Sequence, residues 1–202
     1  MAPGTAAPAD AAIDGIILAA GQSRRMGRPK AALRVPDGAS FLERAARALR
    51  AAGCRRVLVV VNAELAAAAE LDLEVVVNAL PQSEQIDSVR LALQRLDDST
   101  AAVLVLPVDL PLIAPETAVA VAASFREHAA PVVVPCHEGV AGHPILLARA
   151  VFAEMLHGEC AEGMRSVLLA HARDTRMVAV NDPGIVIDID TPDDYVRHIV
   201  QQ

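Results

Sequence analysis

Short apolar runs rich in β-branched residues alternate along nearly the whole chain with alanine- and leucine-rich stretches of helical periodicity. The runs are continuously apolar, which is typical of strands that are buried on both faces. Seven strands are predicted, at Ile16–Ala19, Val57–Val61, Leu73–Val77, Val103–Leu106, Val132–Val134, Met177–Val180 and Ile185–Ile189. Seven helices are predicted, at Phe41–Ala52, Ala63–Leu71, Ser83–Leu96, Pro115–His128, Ala148–His157, Glu162–His171 and Pro192–Val200. The alternation predicts a single-domain α/β fold with a mostly parallel (mixed), twisted sheet flanked by helices.

The composition limits the class of protein. A length of 202 residues suits one sizeable domain, placed here at residues 13–202. Residues 1–12 are rich in alanine and proline and lack the basic and apolar regions of a signal peptide, so they are predicted to be a disordered tail. The net charge of −7 argues against a nucleic-acid partner, because neutralising many phosphates requires a basic surface. No apolar stretch approaches the roughly 20 residues of a membrane helix, so no membrane contact is expected.

The cysteines give little sign of disulfides or of a metal site. Cys54, Cys136 and Cys160 are odd in number, widely spaced and form no Cys-x-x-Cys pair. This pattern is typical of buried thiols in a reducing compartment. Together with the missing signal and membrane segments, it predicts a cytoplasmic location.

The segment from Leu18 to Lys30 has the features of a phosphate-binding loop. It follows the first apolar strand and holds two glycines, a serine, three arginines and Lys30, the only lysine in the chain. A strand that opens into such residues aims backbone N–H groups and positive charge at a phosphate chain. Its spacing matches neither the Walker A pattern nor Gly-x-Gly-x-x-Gly, and a glycine turn with solvated arginines is the alternative. The combination points to a nucleotide.

The same segment reads Leu-Ala-Ala-Gly-x-Ser-x-Arg-Met-Gly-x-x-Lys and resembles the signature loop of the MobA-like nucleotidyltransferases. Within them it is most similar to the MocA-like molybdenum cofactor cytidylyltransferases. The resemblance implies a Rossmann-like nucleotidyltransferase fold and transfer of a nucleotide monophosphate to a phosphorylated acceptor with release of pyrophosphate. It implies that Arg25 and Lys30 act in catalysis. It further implies that the triphosphate is bound by Leu18, Ala19, Ala20, Gly21, Ser23, Arg25 and Lys30.

Two carboxylate sites are candidates for the Mg²⁺ that phosphoryl transfer from a triphosphate requires. Asp109 follows a predicted buried strand, where a turn or helix-start aspartate is the ordinary alternative. Asp188 and Asp190 lie two residues apart, and in a strand their side chains would share one face. Their alternative is one helix-capping and one solvated acid, because Thr191 and Pro192 have the pattern of a helix start.

Both carboxylate sites also match motifs of the family that the loop resembles. Asp109-Leu110-Pro111 corresponds to an Asp-x-Pro element whose aspartate binds metal. The segment Asp188-Ile189-Asp190-Thr191-Pro192 is similar to the family's C-terminal signature, where Asp190 is favoured over Asp188 as the second ligand. The resemblance therefore implies a metal site formed by Asp109 and Asp190.

Three further residues are candidates on the base and acceptor sides. Gly142-His143-Pro144 and Gly163-Met164-Arg165 resemble elements of the molybdopterin branch, which implies acceptor binding by His143 and Arg165. Each residue also has an interpretation without a ligand: His143 packs against its neighbours before Pro144, and Arg165 is an ordinary arginine on a helix surface. Ser88 lies where the family contacts the base, although the surrounding residues 83–89 depart from the branch's usual pattern, and a helix-surface serine is equally compatible.

The predicted function is Mg²⁺-dependent transfer of CMP from CTP to a molybdopterin-type phosphate. Because an ionised phosphate attacks, the reaction needs no general base. One alternative is a nucleotidyltransferase that uses GTP or another small phosphorylated acceptor. The other is a nucleotide-binding regulatory or delivery protein without catalysis. Molybdoenzymes or their chaperones are the expected protein partners, because they would receive the product.

Overall fold

The computed structural model describes residues 11–68, 73–80, 83–158 and 162–201. Their centre is one sheet, in which β1, β2, β3, β4, β5 and β8 run in one direction and β6 and β7 in the other. The order is β3-β2-β1-β4-β7-β5-β6, and β8 pairs with β5. The strands are β1 (Ala12–Ala19), β2 (Val57–Asn62), β3 (Glu74–Asn78), β4 (Thr100–Pro107), β5 (Val132–His137), β6 (Val140–Ala141), β7 (Ile145–Ala148) and β8 (Thr175–Ala179).

Helices cover both faces of this sheet. They are α1 (Phe41–Ala51), α2 (Ala63–Ala68), α3 (Gln85–Leu93), α4 (Pro115–His128), α5 (Phe152–His157), α6 (Met164–Ala170) and α7 (Pro192–Tyr195). A π-helical turn, Val196–Val200, continues α7. The single-domain α/β fold with a mostly parallel, mixed sheet is therefore confirmed. No helix in the described ranges has the length and apolarity needed to cross a membrane.

The buried strands explain why the apolar runs are continuous. Along β1, Ile13 and Ile17 pack into a core shared with α1 and α4, whereas Ile16 and Leu18 pack into a second core shared with α3, α5 and α6. Side chains alternate between the two faces of a strand, so a sheet covered on both sides needs apolar residues at every position.

Most predicted elements are present with shifted ends. Residues 69–72 lie outside the described part, so the end of the helix predicted to reach Leu71 is not described. Ala12 already belongs to β1. Cys54 and Cys136 are free thiols and half-buried, and burial raises the pKa of the Cys54 thiol to about 12. Cys160 lies outside the described residues.

Two element predictions are wrong. The strand predicted at Ile185–Ile189 is a 3₁₀ turn at Pro183–Val186 followed by irregular chain, because the Asp182 side chain accepts from the Gly184 N–H and starts the turn. Ile185 and Ile189 are nevertheless buried, which explains the misleading apolar pattern. Consequently Asp188 and Asp190 do not follow the two-residue period of a strand.

The second error concerns the antiparallel strand β7 (Ile145–Ala148), which the sequence analysis missed. Ala148 was predicted to begin a helix, but it ends β7, and α5 begins only at Phe152 after a 3₁₀ turn. A four-residue apolar run such as Ile145–Ala148 has no distinctive period, so a strand and the start of a helix look alike.

The buried carboxylate of Asp182 anchors the late segment that leads to Asp190. It accepts hydrogen bonds from the Ala114 N–H (2.9 Å), the Thr117 hydroxyl (2.6 Å) and the Gly184 N–H (2.9 Å). The first two donors lie at the start of α4 and the third lies in the 3₁₀ turn. One side chain therefore fixes the position of the turn relative to α4.

We expect Asp182→Ala to lower the free energy of unfolding by about 2–4 kcal/mol, because three donors lose a charged acceptor inside the protein. Urea denaturation checks this value. Asp193→Ala is the matched control, because Asp193 is exposed in the first turn of α7. Equal stability of the two variants would contradict the anchoring role of Asp182.

Candidate active site at the carboxyl edge of the sheet

The loop between β1 and α1 folds back on itself beyond the carboxyl end of β1. Ser23 and Gly27 both have left-handed backbones, with φ of 47° and 65°, and they flank a 3₁₀ turn at Arg24–Met26. The Ser23 hydroxyl accepts a hydrogen bond from the Lys30 N–H at 3.2 Å. Ala31, which follows Lys30, is buried in the core. The loop thus holds Lys30 at its base.

Lys30 joins the two predicted carboxylate sites. Its ammonium donates to Asp109 Oδ2 at 2.9 Å and forms a second, short contact with Asp190 Oδ1. The Lys30 side chain is only 12% exposed, whereas those of Asp109 and Asp190 are 28% and 35% exposed. Three segments that are far apart in sequence therefore meet at one ammonium group.

Arg25 completes the cluster from the solvent side. Its guanidinium contacts Asp190 Oδ2 at 2.8 Å, and its side chain is 67% exposed. Exposed ion pairs of this kind contribute little to stability because water and salt screen them. Arg25 is thus free to exchange Asp190 for another anion at small cost.

The contacts within the cluster keep Lys30 and Asp190 charged. Burial by itself would lower the pKa of Lys30, but hydrogen bonds to Asp190 and Asp109 and their negative charges raise it above the ordinary value of 10.5. The hydrogen bond from Lys30 holds the pKa of Asp190 below its usual range, although burial opposes the shift. Near neutral pH Lys30 is therefore protonated and Asp190 is ionised.

Main-chain hydrogen bonds position the two carboxylates. The Val108 N–H donates to Leu18 O at 3.0 Å, which ties the chain before Asp109 to β1. The Ile189 N–H donates to Asp109 O at 2.8 Å and brings the late segment alongside. Asp194 then fixes the chain after it, because its carboxylate accepts from the Asp190 and Thr191 N–H groups.

The predicted helix start at Thr191 is present and contributes to this arrangement. Thr191 is the N-cap of α7, Pro192 is the first helical residue, and Asp194 completes a capping box.

Asp188, in contrast, is exposed. Partial burial of its carboxyl and repulsion by Asp109 and Asp190 raise its pKa. Of the two late candidates, Asp190 is the one that contacts Lys30 and Arg25.

Two adjoining cavities open around the cluster. The first, of about 400 Å³, is lined by the loop, Asn62 at the end of β2, and both carboxylates. The second, of about 540 Å³, lies towards α3 and is lined by Ala20, Leu80 and Ser88 among others. The residues shared by the two cavities are Leu18, Gly21, Gln22, Arg24, Asn62 and Asp109.

The predicted triphosphate-binding residues are therefore brought together. Leu18, Ala19, Gly21, Ser23, Arg25 and Lys30 line the first cavity, and Ala20 lines the second. Ser88 is not a surface serine: it is buried, and its hydroxyl accepts a hydrogen bond from the Asn78 amide at 3.0 Å.

His143 lies close enough to Asp109 for its imidazole to interact electrostatically with that carboxylate. Its Nε2 is buried and has no hydrogen-bond partner among the described residues. Burial lowers its pKa to about 4, although the nearby Asp109 opposes the shift. The imidazole is therefore neutral near pH 7. Like Arg165, His143 lines neither of the two cavities as the described residues define them.

Arg165 lies apart from the cluster. It is in the first turn of α6, its side chain is 75% exposed, and it pairs with Glu162 at 3.7 Å. It lines neither of the two cavities as the described residues define them. Arg165 has the surroundings of a helix-surface arginine.

The sequence analysis missed Asn62, which lines both cavities. Its signal was present, because a polar residue directly follows the buried run Val57–Val61 at the same edge as Asp109. Its side-chain oxygen accepts from the Leu65 N–H at 2.8 Å, which orients the amide at the start of α2. Asp182 was also missed, since its role depends on contacts that are distant in sequence.

The carboxylates of Asp109 and Asp190 fit a Mg²⁺ ion whose remaining ligands come from a bound substrate and from water. Two carboxylate oxygens, from Asp109 and Asp190, already converge on one cationic group, the Lys30 ammonium. In the described part of the chain, no three His, Cys, Asp or Glu side chains form a complete protein cage. Mg²⁺ is commonly held by one or two carboxylates with phosphates and waters, which is what this arrangement can provide.

Comparisons with known proteins agree with this picture. The family model for the MobA-like NTP transferase domain matches residues 15–175. The molybdenum cofactor cytidylyltransferase of Escherichia coli K12 is 34% identical over 64 residues, which are 32% of each chain. A probable molybdenum cofactor guanylyltransferase of Chloroflexus aggregans is 37% identical over 117 residues, which are 57% of this chain and 54% of the relative. The chain thus spans about one third of the length of the Escherichia coli relative and about half of the length of the Chloroflexus aggregans relative.

Solved structures match over nearly the whole chain. Rv0371c from Mycobacterium tuberculosis H37Rv is 28% identical, with a TM-score of 0.80 over 97% of this chain and 99% of that one. A structure of the same protein in complex with manganese has a TM-score of 0.76 over 95% of this chain and all of that one. Its sequence identity is likewise 28%.

The low pKa of His143 predicts a specific dependence of stability on pH. The unfolded histidine takes up a proton near pH 6.5, whereas the native one does so only near pH 4. Stability contributed by this residue is therefore lost as pH falls between these values, by about 2–3 kcal/mol at pH 4.5. We expect His143→Gln to remove that part of the loss in urea denaturation at pH 7 and 4.5. Equal losses in the variant and the wild type would contradict the burial of a neutral imidazole.

Proposed function

Because the chain belongs to the MobA-like NTP transferase family, we propose that it is a Mg²⁺-dependent nucleotidyltransferase that transfers CMP from CTP to a molybdopterin-type phosphate and releases pyrophosphate. The observation that carries this proposal is the meeting of Lys30 with Asp109 and Asp190 at the carboxyl edge of the sheet. In open α/β sheets, ligands bind beyond the carboxyl ends of the strands.

The loop cavity suits a triphosphate. Lys30 and Arg25 supply positive charge on one side, and a Cβ at Gly21 would meet no described atom within 4 Å. Packing therefore does not require glycine at this position, whereas close approach of a phosphate to the backbone would. We assign triphosphate binding to Leu18, Ala19, Ala20, Gly21, Ser23, Arg25 and Lys30.

Transfer would proceed by in-line attack. An oxygen of the acceptor phosphate forms a bond to the α-phosphorus, and the bond from that phosphorus to the bridging oxygen of pyrophosphate breaks. No proton has to move, because the attacking phosphate is already ionised. The task of the protein is to position both groups and to stabilise the charge that builds on the leaving pyrophosphate. Lys30 and Arg25 are the catalytic residues in this mechanism.

Asp109 and Asp190 would hold the metal ion. Bound Mg²⁺ would supply positive charge to the phosphate oxygens during transfer. The manganese complex of the similar Mycobacterium tuberculosis protein supports a divalent cation in a protein of this kind. The hydrogen bonds to Asp109 O and from the Asp190 N–H keep the two carboxylates in place.

The base would occupy the second cavity, beside Ser88 and Leu80. CTP is our first choice because the loop is most similar to the cytidylyltransferase branch and because the Escherichia coli relative is named as one. GTP is the second candidate, favoured by the longer match to the probable guanylyltransferase of Chloroflexus aggregans. Another small phosphorylated acceptor remains compatible with either nucleotide.

On the acceptor side, His143 is the better supported candidate. Its neutral imidazole is close enough to Asp109 to interact with its charge, and its buried Nε2, which has no partner among the described residues, would bind an acceptor group that displaces the side chains covering it. Neither residue lines the two cavities as described, and Arg165 would in addition need the acceptor to extend along α6, away from Asp109. Molybdoenzymes or their chaperones would receive the product.

We expect Lys30→Met to reduce pyrophosphate release by about 10²–10³-fold, the usual cost of removing a group that stabilises transition-state charge. Asp109→Asn should reduce it similarly by weakening the metal site. The assay combines CTP, Mg²⁺ and molybdopterin. Asp193→Asn is the control and should stay within about twofold of wild type, since exposed surface substitutions change little.

Release within a few-fold of wild type in Lys30→Met would refute the catalytic assignment. Retention of CTP by the wild type without any pyrophosphate release would instead favour the alternative of a non-catalytic nucleotide-binding protein.

Base preference is tested by thermal shift. With saturating Mg²⁺, CTP should raise the melting temperature more than GTP, because tighter binding to the native state stabilises it more. Ser88→Ala should reduce the difference between the two nucleotides if the second cavity holds the base. Equal shifts with both nucleotides in the wild type would contradict the CTP preference.

A further inference from the structure

Lys30 occupies the point on which the two candidate metal ligands converge. Its ammonium contacts Asp109 Oδ2 and Asp190 Oδ1, and the other oxygen of Asp190 is covered by Arg25. A Mg²⁺ or Mn²⁺ ion on both carboxylates would need oxygens at about 2.1 Å, inside the space that the ammonium fills. Two cations cannot share that space.

We infer that Lys30 is an internal competitor of the metal ion: its ammonium weakens metal binding at the two-carboxylate site, and a triphosphate that draws the ammonium away relieves this competition. This inference rests on the proposed function for the identity of the ligand. It goes further by making the affinity for metal depend on the position of one side chain.

The charges explain why the competing ammonium stays in place in the free protein. Asp109 and Asp190 would repel each other without a cation between them. Lys30 is only 12% exposed, so its charge is little screened and cannot be replaced by water at low cost. Arg25, whose side chain is 67% exposed, competes less strongly with a metal ion for Asp190.

The loop cavity provides an alternative position for the Lys30 ammonium. Lys30 lines the cavity proposed for the triphosphate, so rotation of its side chain would exchange the two carboxylates for phosphate oxygens. The triphosphate offers more negative charge than the carboxylates that Lys30 leaves. Metal and nucleotide should therefore favour each other's binding, and this coupling is reciprocal.

The decisive experiment measures Mn²⁺ binding alone, without nucleotide or acceptor, by calorimetry or by electron paramagnetic resonance of free Mn²⁺. We expect Lys30→Met to bind Mn²⁺ at least about tenfold more tightly than wild type, within the range usual for coupled sites. Arg28→Met is the matched control, because it removes a cation from the same loop that contacts neither carboxylate in the described structure. It should stay within about twofold, as expected for a screened, exposed charge.

The double variant Lys30→Met/Asp109→Asn locates the effect and should lose the gain in affinity. Unchanged or weaker binding in Lys30→Met would overturn the inference. A gain that persists in the double variant would also overturn it, because the metal would then bind elsewhere.

A second measurement uses the wild-type chain, so that it does not depend on the folding of a variant. Lys30 is the only lysine, and its acylation by a small amine reagent can be followed by peptide mass spectrometry with the α-amino group as internal reference. Saturating Mn²⁺ should accelerate acylation of Lys30 severalfold relative to that reference. An unchanged ratio would overturn the displacement.

These outcomes are distinct from those of the proposed reaction, because neither measurement involves turnover. A chain that shows the exchange but releases no pyrophosphate would contradict the proposed function alone. A chain that releases pyrophosphate while Lys30→Met binds Mn²⁺ no better than wild type would contradict this inference alone.

Discussion

Two main-chain hydrogen bonds determine the geometry of the candidate site. The Val108 N–H donates to Leu18 O, and the Ile189 N–H donates to Asp109 O. The first joins the ends of the adjacent strands β1 and β4, and the second adds the late segment. Because these bonds involve backbone atoms, they are independent of which side chains stand at the edge. The charged side chains therefore meet on a scaffold that the backbone has already fixed.

The sequence was sufficient to predict the fold class, the loop and the family. Continuous apolar strands imply a sheet buried on both faces, and the structure confirms this for the central strands β1, β2, β4 and β7, whereas β3 and β8 are largely exposed. The loop was recognisable because its residues are contiguous from Leu18 to Lys30. The family resemblance is confirmed by the match over residues 15–175. The roles of individual residues stay predictions.

The sequence was insufficient where tertiary contacts override local pattern. Ile185 and Ile189 are buried, as a strand pattern suggests, but Asp182 turns the chain into a 3₁₀ turn by accepting from Gly184. β7 was missed because a run of four apolar residues carries no period of its own. From the sequence, Ser88 is compatible with a base contact or with a helix-surface position, and its burial beside Asn78 removes the second option.

The long sequence separations within the cluster have a consequence for local unfolding. Lys30 pairs with residues 79 and 160 positions away, so the site exists only while β1, the end of β4 and the start of α7 are all in place. An opening that releases any one of these segments also abolishes ligand binding. A bound ligand would therefore suppress each of these openings, and slow hydrogen exchange would appear together in segments that share no sequence neighbourhood.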